Sequence, residues 1–186
     1  MKNTKKNAAI LENANRLFEL QGFKGTGVDQ IAAESGVTKR TLYKHFGSKE
    51  GLIRAVLEAH ETSMMERFRQ DLAASRMTAK ERILLCFDLY RDWFEHTNFT
   101  GCIFIKTLNE FANCTPALNQ QAQGAKWALR ELILEQTKST RATEPEQLAD
   151  QIQLLLEGSI ILAQSGRGVT IIDAAQEAAA QLLEGA

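Results

Sequence analysis

The segment from Val28 to Lys49 restricts the possible folds of this chain more than any other part of the sequence. It reads VDQIAAESGVTKRTLYKHFGSK, and its apolar residues are spaced for two short helices. Gly36 supplies the backbone freedom that a sharp turn needs, and Thr38 can cap the helix that follows. In that second helix Leu42 and Phe46 are four residues apart and share the inward face. The pattern predicts a helix-turn-helix with a basic outer helix, a shape that fits the major groove of DNA.

The distribution of charge supports this interpretation. Ten of the 22 Lys and Arg residues, but only five of the 23 Asp and Glu residues, lie before residue 55. That part therefore carries a net charge of +5 and the remainder −6, although the whole chain carries only −1. A basic head on an acidic body is typical of a chain that directs one end towards DNA. The alternative is an ordinary pair of surface helices with solvated charges, which the agreement of turn, cap, core positions and charge disfavours.

Helical patterns continue through the rest of the chain and predict nine helices in an all-α protein. The chain has only two prolines and no run of alternating strand pattern. The first helix is expected from about Lys6 to Gln21, with Gly22 ending it. Ser48 can cap a long fourth helix, and Thr78 with Glu81 forms a capping-box pattern for the fifth. Later starts are predicted at Cys102, at Thr115 with Pro116, at Thr143 or Glu144 with Pro145, and at Thr170 with Asp173.

The last two predicted helices carry apolar residues on more than one side. Gln151 to Ala163 is apolar nearly all round, and the final helix contains many alanines that permit close helix packing. Residues from about 144 to 185 are therefore predicted to pair with the same residues of a second copy in a four-helix bundle. The alternative is that both helices belong to the core of a monomer.

The stretch from Gly22 to Ile53, GFKGTGVDQIAAESGVTKRTLYKHFGSKEGLI, resembles the DNA-binding head of the tetracycline-repressor-like (TetR) family of bacterial regulators. The resemblance implies a nine-helix, two-domain homodimer. Residues 1–47 would form the helix-turn-helix domain, and residues 48–186 would bind a ligand and dimerise. Such a chain is expected to bind double-stranded operator DNA with palindromic sequence, usually as a repressor, and to be released by a small apolar effector.

Carried over position by position, the resemblance implies which residues touch DNA. Thr38, Tyr43 and Lys49 are expected at phosphates, and Lys49 also lies at a helix N-terminus, where backbone N–H groups attract anions. Arg40 can hydrogen-bond guanine, and Thr41 can contact a thymine methyl group. The full expected set is Thr26, Gln30, Thr38, Lys39, Arg40, Thr41, Tyr43, Lys44, His45 and Lys49.

One position departs from the family pattern. The residue before Val28 is often Ser or Thr in the family and serves as both helix cap and phosphate ligand, whereas this chain has Gly27. Thr26 is the expected substitute for the phosphate contact.

Aromatic residues concentrate on the predicted central helices. Most are expected in the core, but the resemblance implies that some line a pocket for a small apolar or aromatic effector. The candidate pocket residues are Phe87, Tyr90, Trp93, Phe94, Phe104, Asn109, Phe111 and Trp127. A DNA-binding protein that takes no ligand is the alternative.

Cys102 suggests a second hypothesis for the signal. It opens a predicted helix, and a helix N-terminus lowers the pKa of a thiol. Oxidation or alkylation at Cys102 would make the chain a thiol- or electrophile-sensing repressor. A role as a small buried hydrophobic residue is the simpler alternative.

Catalysis is the third hypothesis, since His60, Glu61, Glu95 and His96 offer acid–base groups and Cys102 a nucleophile. The sequence has no HExxH motif and no glycine-rich phosphate loop, so we expect no enzyme, no cofactor and no metal. The three cysteines are an odd number without metal-finger spacing. No signal peptide and no segment apolar enough to span a membrane is visible, which predicts a cytoplasmic location.

Overall fold

The computed structural model describes residues 2–73, 76–96, 99–112 and 114–185, with side chains from Lys6 onward. Within these ranges all regular elements are helical and no strand is present, so the predicted all-α architecture with nine α-helices is confirmed. A short π-helical segment, Ala163–Arg167, follows the eighth helix. The helices are α1 Lys2–Gly25, α2 Val28–Glu34, α3 Lys39–Phe46, α4 Lys49–Ala73, α5 Ala79–Glu95, α6 Ile103–Phe111, α7 Pro116–Thr137, α8 Pro145–Leu162 and α9 Thr170–Glu184.

The chain forms two compact units. The first contains residues 1–64 and 102–125, and the second contains residues 65–101 and 126–186. This division does not coincide with the predicted boundary between residues 47 and 48, because α6 packs against α1 and so belongs to the first unit. The assignment of DNA binding to residues 1–47 and of ligand binding and dimerisation to residues 48–186 stays a prediction.

The core of the first unit follows the predicted apolar stripes. Ile10, Leu17 and Phe18 on α1 are at most 1% exposed, and Leu42 on α3 is fully buried. Gly36 adopts a φ of 63° in the turn between α2 and α3, a left-handed conformation that glycine tolerates best. The predicted helix-turn-helix is therefore present as a packed unit.

Three predicted helix starts are confirmed by side-chain capping bonds. The Thr38 side chain accepts from the Thr41 amide, and the Ser48 hydroxyl accepts from the Gly51 amide at 2.9 Å. Thr78 and Glu81 form the complete capping box at the start of α5.

The last helix begins at Thr170, as predicted, but Thr170 and Asp173 do not cap it. Val169 occupies the N-cap position of α9 and makes no side-chain capping bond. Asp173 instead accepts a hydrogen bond from the Nε atom of Arg91 on α5 at 2.9 Å. The carboxylate therefore joins α5 to α9 in the second unit, a long-range contact that a capping pattern cannot reveal.

The second unit is built around α5, α8 and α9. Phe87 on α5, Ile152 and Leu156 on α8, and Ile172 and Ala179 on α9 are all fully buried. The π-helical segment contains Gly166, whose φ is 95°. A left-handed glycine of this kind ends the helical run and allows α9 to fold back onto α8.

Candidate DNA-binding surface

Helix α3 carries three exposed basic side chains, Lys39, Arg40 and Lys44. Its apolar side is anchored by Leu42, while Arg40 and Lys44 are exposed to solvent. Neither Arg40 nor Lys44 forms an ion pair with any residue of the described ranges. Both cations are therefore available to an anionic partner without the loss of an internal ion pair.

Two other predicted contact residues are engaged within the head. The Nζ atom of Lys39 lies 3.0 Å from a carboxylate oxygen of Asp29 on α2, and this hydrogen bond raises the pKa of Lys39. Gln30 donates from Nε2 to Glu34 at 3.1 Å, and Glu34 also pairs with Arg16. The Lys39–Asp29 pair joins α2 to α3, and the Arg16–Glu34 pair joins α1 to α2. To contact DNA, Lys39 and Gln30 would have to share their present contacts with Asp29 and Glu34.

The hydroxyl-bearing and aromatic members of the predicted set stand at the two ends of α3. Thr38 and Thr41 lie together at its N-terminus, with their hydroxyl oxygens 2.9 Å apart. Tyr43 is 38% exposed, and the half-buried ring of His45 lies 6.2 Å from that of Phe46. Their side chains border the exposed cations of α3.

Lys49, the first residue of α4, is half-buried. Burial lowers its pKa, and the nearby carboxylate of Glu110 acts in the opposite direction. Its position at a helix N-terminus combines a side-chain cation with the N–H groups of the first turn.

Thr26 does not lie where the sequence predicted. Its side chain is fully buried, and its hydroxyl group faces the carbonyl oxygens of Gly22 at 2.7 Å and Leu17 at 3.2 Å. The hydroxyl satisfies the end of α1 and cannot reach a phosphate. We therefore remove Thr26 from the expected contacts, and Gly27 caps α2 with backbone alone.

The predicted pocket residues are divided between the two units. In the second unit Tyr90, Trp93 and Phe94 form a cluster of tilted and edge-on rings with Phe99, with centroids 4.7 to 6.0 Å apart, while Phe87 is fully buried. In the first unit Phe104 is buried, Asn109 is exposed, and Phe111 packs on Phe23 at 5.5 Å. The eight residues therefore do not line one cavity of a single unit.

Trp127 was predicted to line the pocket, and this prediction is wrong. Its side chain is 61% exposed on α7, with the guanidinium carbon of Arg130 5.6 Å from the ring centroid. Helical spacing alone could not show which side of α7 faces outward, because both sides carry large apolar residues.

A pocket of about 170 Å³ lies within the first unit, between α1, α4, α6 and α7. Among its lining residues only Phe111 belongs to the candidate pocket residues predicted from the sequence. The other lining residues come from segments that are separate in sequence and meet only when the helices pack. The lining residues are Phe23, Lys24, Lys49, Glu50, Ile53, Phe111, Thr115 and Leu118.

The three cysteines differ in their surroundings. Cys102 is the N-cap of α6, as predicted, but it is only 7% exposed. Burial raises the pKa of the Cys86 thiol to about 12, whereas Cys114 is exposed. The described ranges contain no group of three or more His, Cys, Asp or Glu residues suited to a metal ion. Within the same ranges no helix combines the length and the apolar character needed to cross a membrane.

A helix-turn-helix head with a basic outer helix is typical of DNA-binding transcriptional regulators. Residues 10–56 match the family model described as bacterial regulatory proteins, tetR family. This segment is therefore a DNA-binding domain of the TetR family, and the relatives named below are transcriptional regulators rather than enzymes.

Two relatives cover most of the chain. The regulator YjdC of Escherichia coli K12 is 23% identical over 174 residues, which are 94% of this chain and 91% of YjdC. The repressor NemR of the same organism is 26% identical over 167 residues, which are 85% of this chain and 83% of NemR.

Solved structures share the fold. The crystal structure of reduced Escherichia coli NemR matches with a TM-score of 0.86 and 21% identity, over 94% of this chain and 95% of that one. SCO4454, a TetR-family regulator from Streptomyces coelicolor, matches with a TM-score of 0.90 and 19% identity, over 97% of this chain and 95% of that one.

Proposed function

We propose that this chain is a ligand-responsive repressor that binds a palindromic operator as a dimer and releases it when a small apolar effector binds. The observation that carries the DNA-binding part is the exposed basic face of α3, where Arg40 and Lys44 have no internal ion-pair partner among the described residues. The repressor NemR, similar over most of both chains, supports repression over activation.

The proposed contacts divide into those that read bases and those that hold phosphates. Arg40 and Thr41 would face base edges, whereas Thr38, Tyr43 and Lys49 would hold phosphates. Lys39, Lys44, His45 and Gln30 complete the proposed set. Lys39 would exchange part of its ion pair with Asp29 for a contact with DNA, so we assign it a smaller net contribution than Arg40.

The proposed dimer uses an apolar strip on the outer faces of α8 and α9. Leu154 is 72% exposed, and Ile161, Leu162 and Leu182 are 37 to 49% exposed. Gly158 lies between Leu154 and Ile161 on α8, and a side chain added there would meet no other atom within 4 Å. Large exposed apolar residues around a small one suit a helix of a second copy that approaches closely.

The proposed effector site lies at the aromatic cluster of Tyr90, Trp93, Phe94 and Phe99 in the second unit. Its rings offer apolar and edge-on contacts to a flat, apolar molecule. Effector binding would shift α4 and change the separation of the two recognition helices, which must span half-sites ~34–36 Å apart.

Thiol sensing is the second candidate, supported by the similarity to NemR, whose structure was determined in a reduced form. In this chain Cys102 lies at the N-terminus of α6, near the charge of Lys106. Since Cys102 is only 7% exposed, an oxidant would reach it only when the start of α6 opens. Operator binding that peroxide and electrophiles leave unchanged would exclude this candidate.

Selection from random DNA tests the operator proposal directly. We expect a palindrome with two half-sites about one helical turn apart, bound by an even number of chains, with affinity that falls steeply as salt rises. Selection of a non-palindromic sequence, or no enrichment at all, would contradict it. For the effector, anilinonaphthalenesulfonate should compete with an active compound for binding and release operator DNA at saturation.

A further inference from the structure

Helix α1 is interrupted immediately before the helix-turn-helix. At Gly22 the backbone leaves the helical conformation, with φ 75° and ψ 168°. This combination is essentially restricted to glycine. A Cβ atom added at Gly22 would lie 2.7 Å from the Oε1 atom of Glu110, so a carboxylate from α6 fills the space beside the break.

The Glu110 carboxylate binds the backbone just after the break. Oε1 accepts a hydrogen bond from the Phe23 amide at 3.0 Å, and Oε2 accepts one from the Lys24 amide at 2.8 Å. Amides that begin a new helical turn have no partner within their own helix. Glu110 therefore caps the turn of residues 23–25 from a position 86 to 87 residues away in sequence.

Lys106 holds the other side of the same break. It lies one turn before Glu110 on α6, and its Nζ atom donates to the carbonyl oxygen of Glu19 on α1. We call these three bonds the α6 clasp: Lys106 to the Glu19 carbonyl, and the Glu110 carboxylate to the Phe23 and Lys24 amides. The clasp satisfies a carbonyl before the break and two amides after it.

The clasp acts on the segment that aims α2. Three residues beyond the break the buried hydroxyl of Thr26 binds the Gly22 carbonyl, and α2 begins at Val28. Because α3 packs on α2, the direction of the chain after Gly22 sets where the basic face of α3 points. We infer that Glu110 is a positioning residue for operator binding, which holds the helix-turn-helix at the angle that operator contact requires.

This inference rests on the proposed function. It predicts a change in operator affinity opposite in sign to the change that charge alone predicts. Removing a carboxylate from a DNA-binding unit lowers its repulsion for phosphates and should tighten binding to every DNA sequence. Loss of a positioning contact should instead weaken binding to the operator in particular, because only base-edge contacts require a defined angle. The two explanations therefore predict opposite signs.

The experiment compares Glu110→Ala and Glu110→Gln with Asn109→Ala, an exposed neighbour on α6. Affinity for the selected operator and for unrelated DNA is measured at one salt concentration, and amide exchange is followed at Phe23 and Lys24. We expect Glu110→Ala to lose about tenfold in operator affinity, with unrelated DNA changed less than about twofold. Glu110→Gln should lose less, because its carboxamide oxygen can still accept one of the two bonds.

Several results would overturn the inference. Operator affinity that is unchanged or higher in Glu110→Ala would show that charge, and not position, is the role of Glu110. An equal loss for operator and unrelated DNA, or a loss of the same size in Asn109→Ala, would also overturn it. If the wild-type chain prefers no DNA sequence, the proposed function fails. The clasp is then judged by the Phe23 and Lys24 amides alone, which should both exchange faster in Glu110→Ala and remain unchanged in Asn109→Ala.

Discussion

Arg40 and Lys49 both belong to the proposed set of DNA contacts but differ in their surroundings. Arg40 projects from α3 into solvent, whereas Lys49 is half-buried at the start of α4 with its pKa lowered by burial. A guanidinium group can read guanine through two parallel hydrogen bonds, whereas an ammonium group acts mainly as a point charge. The two residues should therefore contribute to DNA binding in different ways.

Replacing each residue by alanine separates base recognition from phosphate binding. Arg40→Ala should relax sequence choice at one base position and cost about 1–3 kcal/mol of operator affinity. Lys49→Ala should weaken binding to all sequences and lower the salt slope by about one. Binding isotherms on the operator and its single-base variants over a range of salt provide both quantities. Lys138→Ala, an exposed lysine at the end of α7, is the control. A change confined to sequence preference in Lys49→Ala would contradict its assignment.

Gly22 and Gly27 differ in whether the structure can accept a side chain. Gly22→Ala would place a Cβ against Glu110 in a strained conformation and should cost about 1–3 kcal/mol of unfolding free energy. Gly27→Ala is the matched control, because Gly27 has a φ of −83° and no atom lies within 4 Å of the added carbon. Its effect should stay within about 0.5 kcal/mol. Urea denaturation measures both, and equal midpoints for the two variants would show that Gly22 is not under constraint.

The start of α5 shows how an element is stabilised by its own termini. The Thr78 side chain accepts from the Glu81 amide, and the Glu81 carboxylate accepts from the Thr78 amide at 2.7 Å. Thr78→Ala removes half of this box and should cost about 1 kcal/mol in denaturant unfolding. Thr143→Ala is the control, because it removes an exposed threonine hydroxyl just before α8, whose N-cap is Glu144. Equal losses in both variants would contradict the assignment of the cap.

The same box should respond to pH with a defined sign. Hydrogen bonds from the Thr78 amide and hydroxyl lower the pKa of Glu81 in the folded chain. Its contribution to stability is therefore fully present above the unfolded value of about 4.3 and is lost as the pH falls through the lower folded value. Glu81→Gln should be less stable than wild type at neutral pH, and the difference should shrink in acid. A difference that grows in acid would reverse the sign and contradict the assignment.

At the scale of the whole molecule, the exposed Trp127 extends the proposed dimer surface onto α7. Lys126 pairs with Glu157 at 2.6 Å, and Arg130 pairs with Asp150 at 2.5 Å. These two pairs show that α7 and α8 are antiparallel, and they place Trp127 at about the same height along the two helices as Leu154. The two side chains are the most exposed large apolar residues of the second unit.

Trp93→Phe leaves Trp127 as the single tryptophan and makes its environment measurable. If a second copy covers Trp127, its emission should shift to the red on dilution, in step with dissociation measured by sedimentation. Trp127→Phe, which retains only Trp93, should show no such shift. Adding Leu154→Glu to the Trp93→Phe variant should give red emission at all concentrations, because a charge on the strip opposes self-association. A dimer with red emission, or blue emission that persists when the variant carrying Leu154→Glu sediments as a monomer, would place Trp127 outside the interface.

Whether a feature could be predicted depends on how far apart in the sequence the residues that determine it lie. The nine helices, the caps at Thr38, Ser48 and Thr78, and the buried and exposed sides of α3 follow from residues within one or two turns, so the sequence by itself determined them. The resemblance to the TetR family depends on the same local pattern, and the proposed DNA contacts of α3 rest on it.

The tertiary structure decided the features that join distant segments. Thr26 lies close in sequence to the predicted contacts, yet its hydroxyl donates to carbonyl oxygens near the end of α1. Trp127 carries an apolar side chain that spacing would bury, but the packing of α7 leaves it in solvent. Glu110 carries no motif, and it meets the Phe23 and Lys24 amides only because α6 folds against the break in α1. Local spacing determines which residues form a helix and which face is apolar, whereas the groups that each polar side chain meets are determined only when the helices pack.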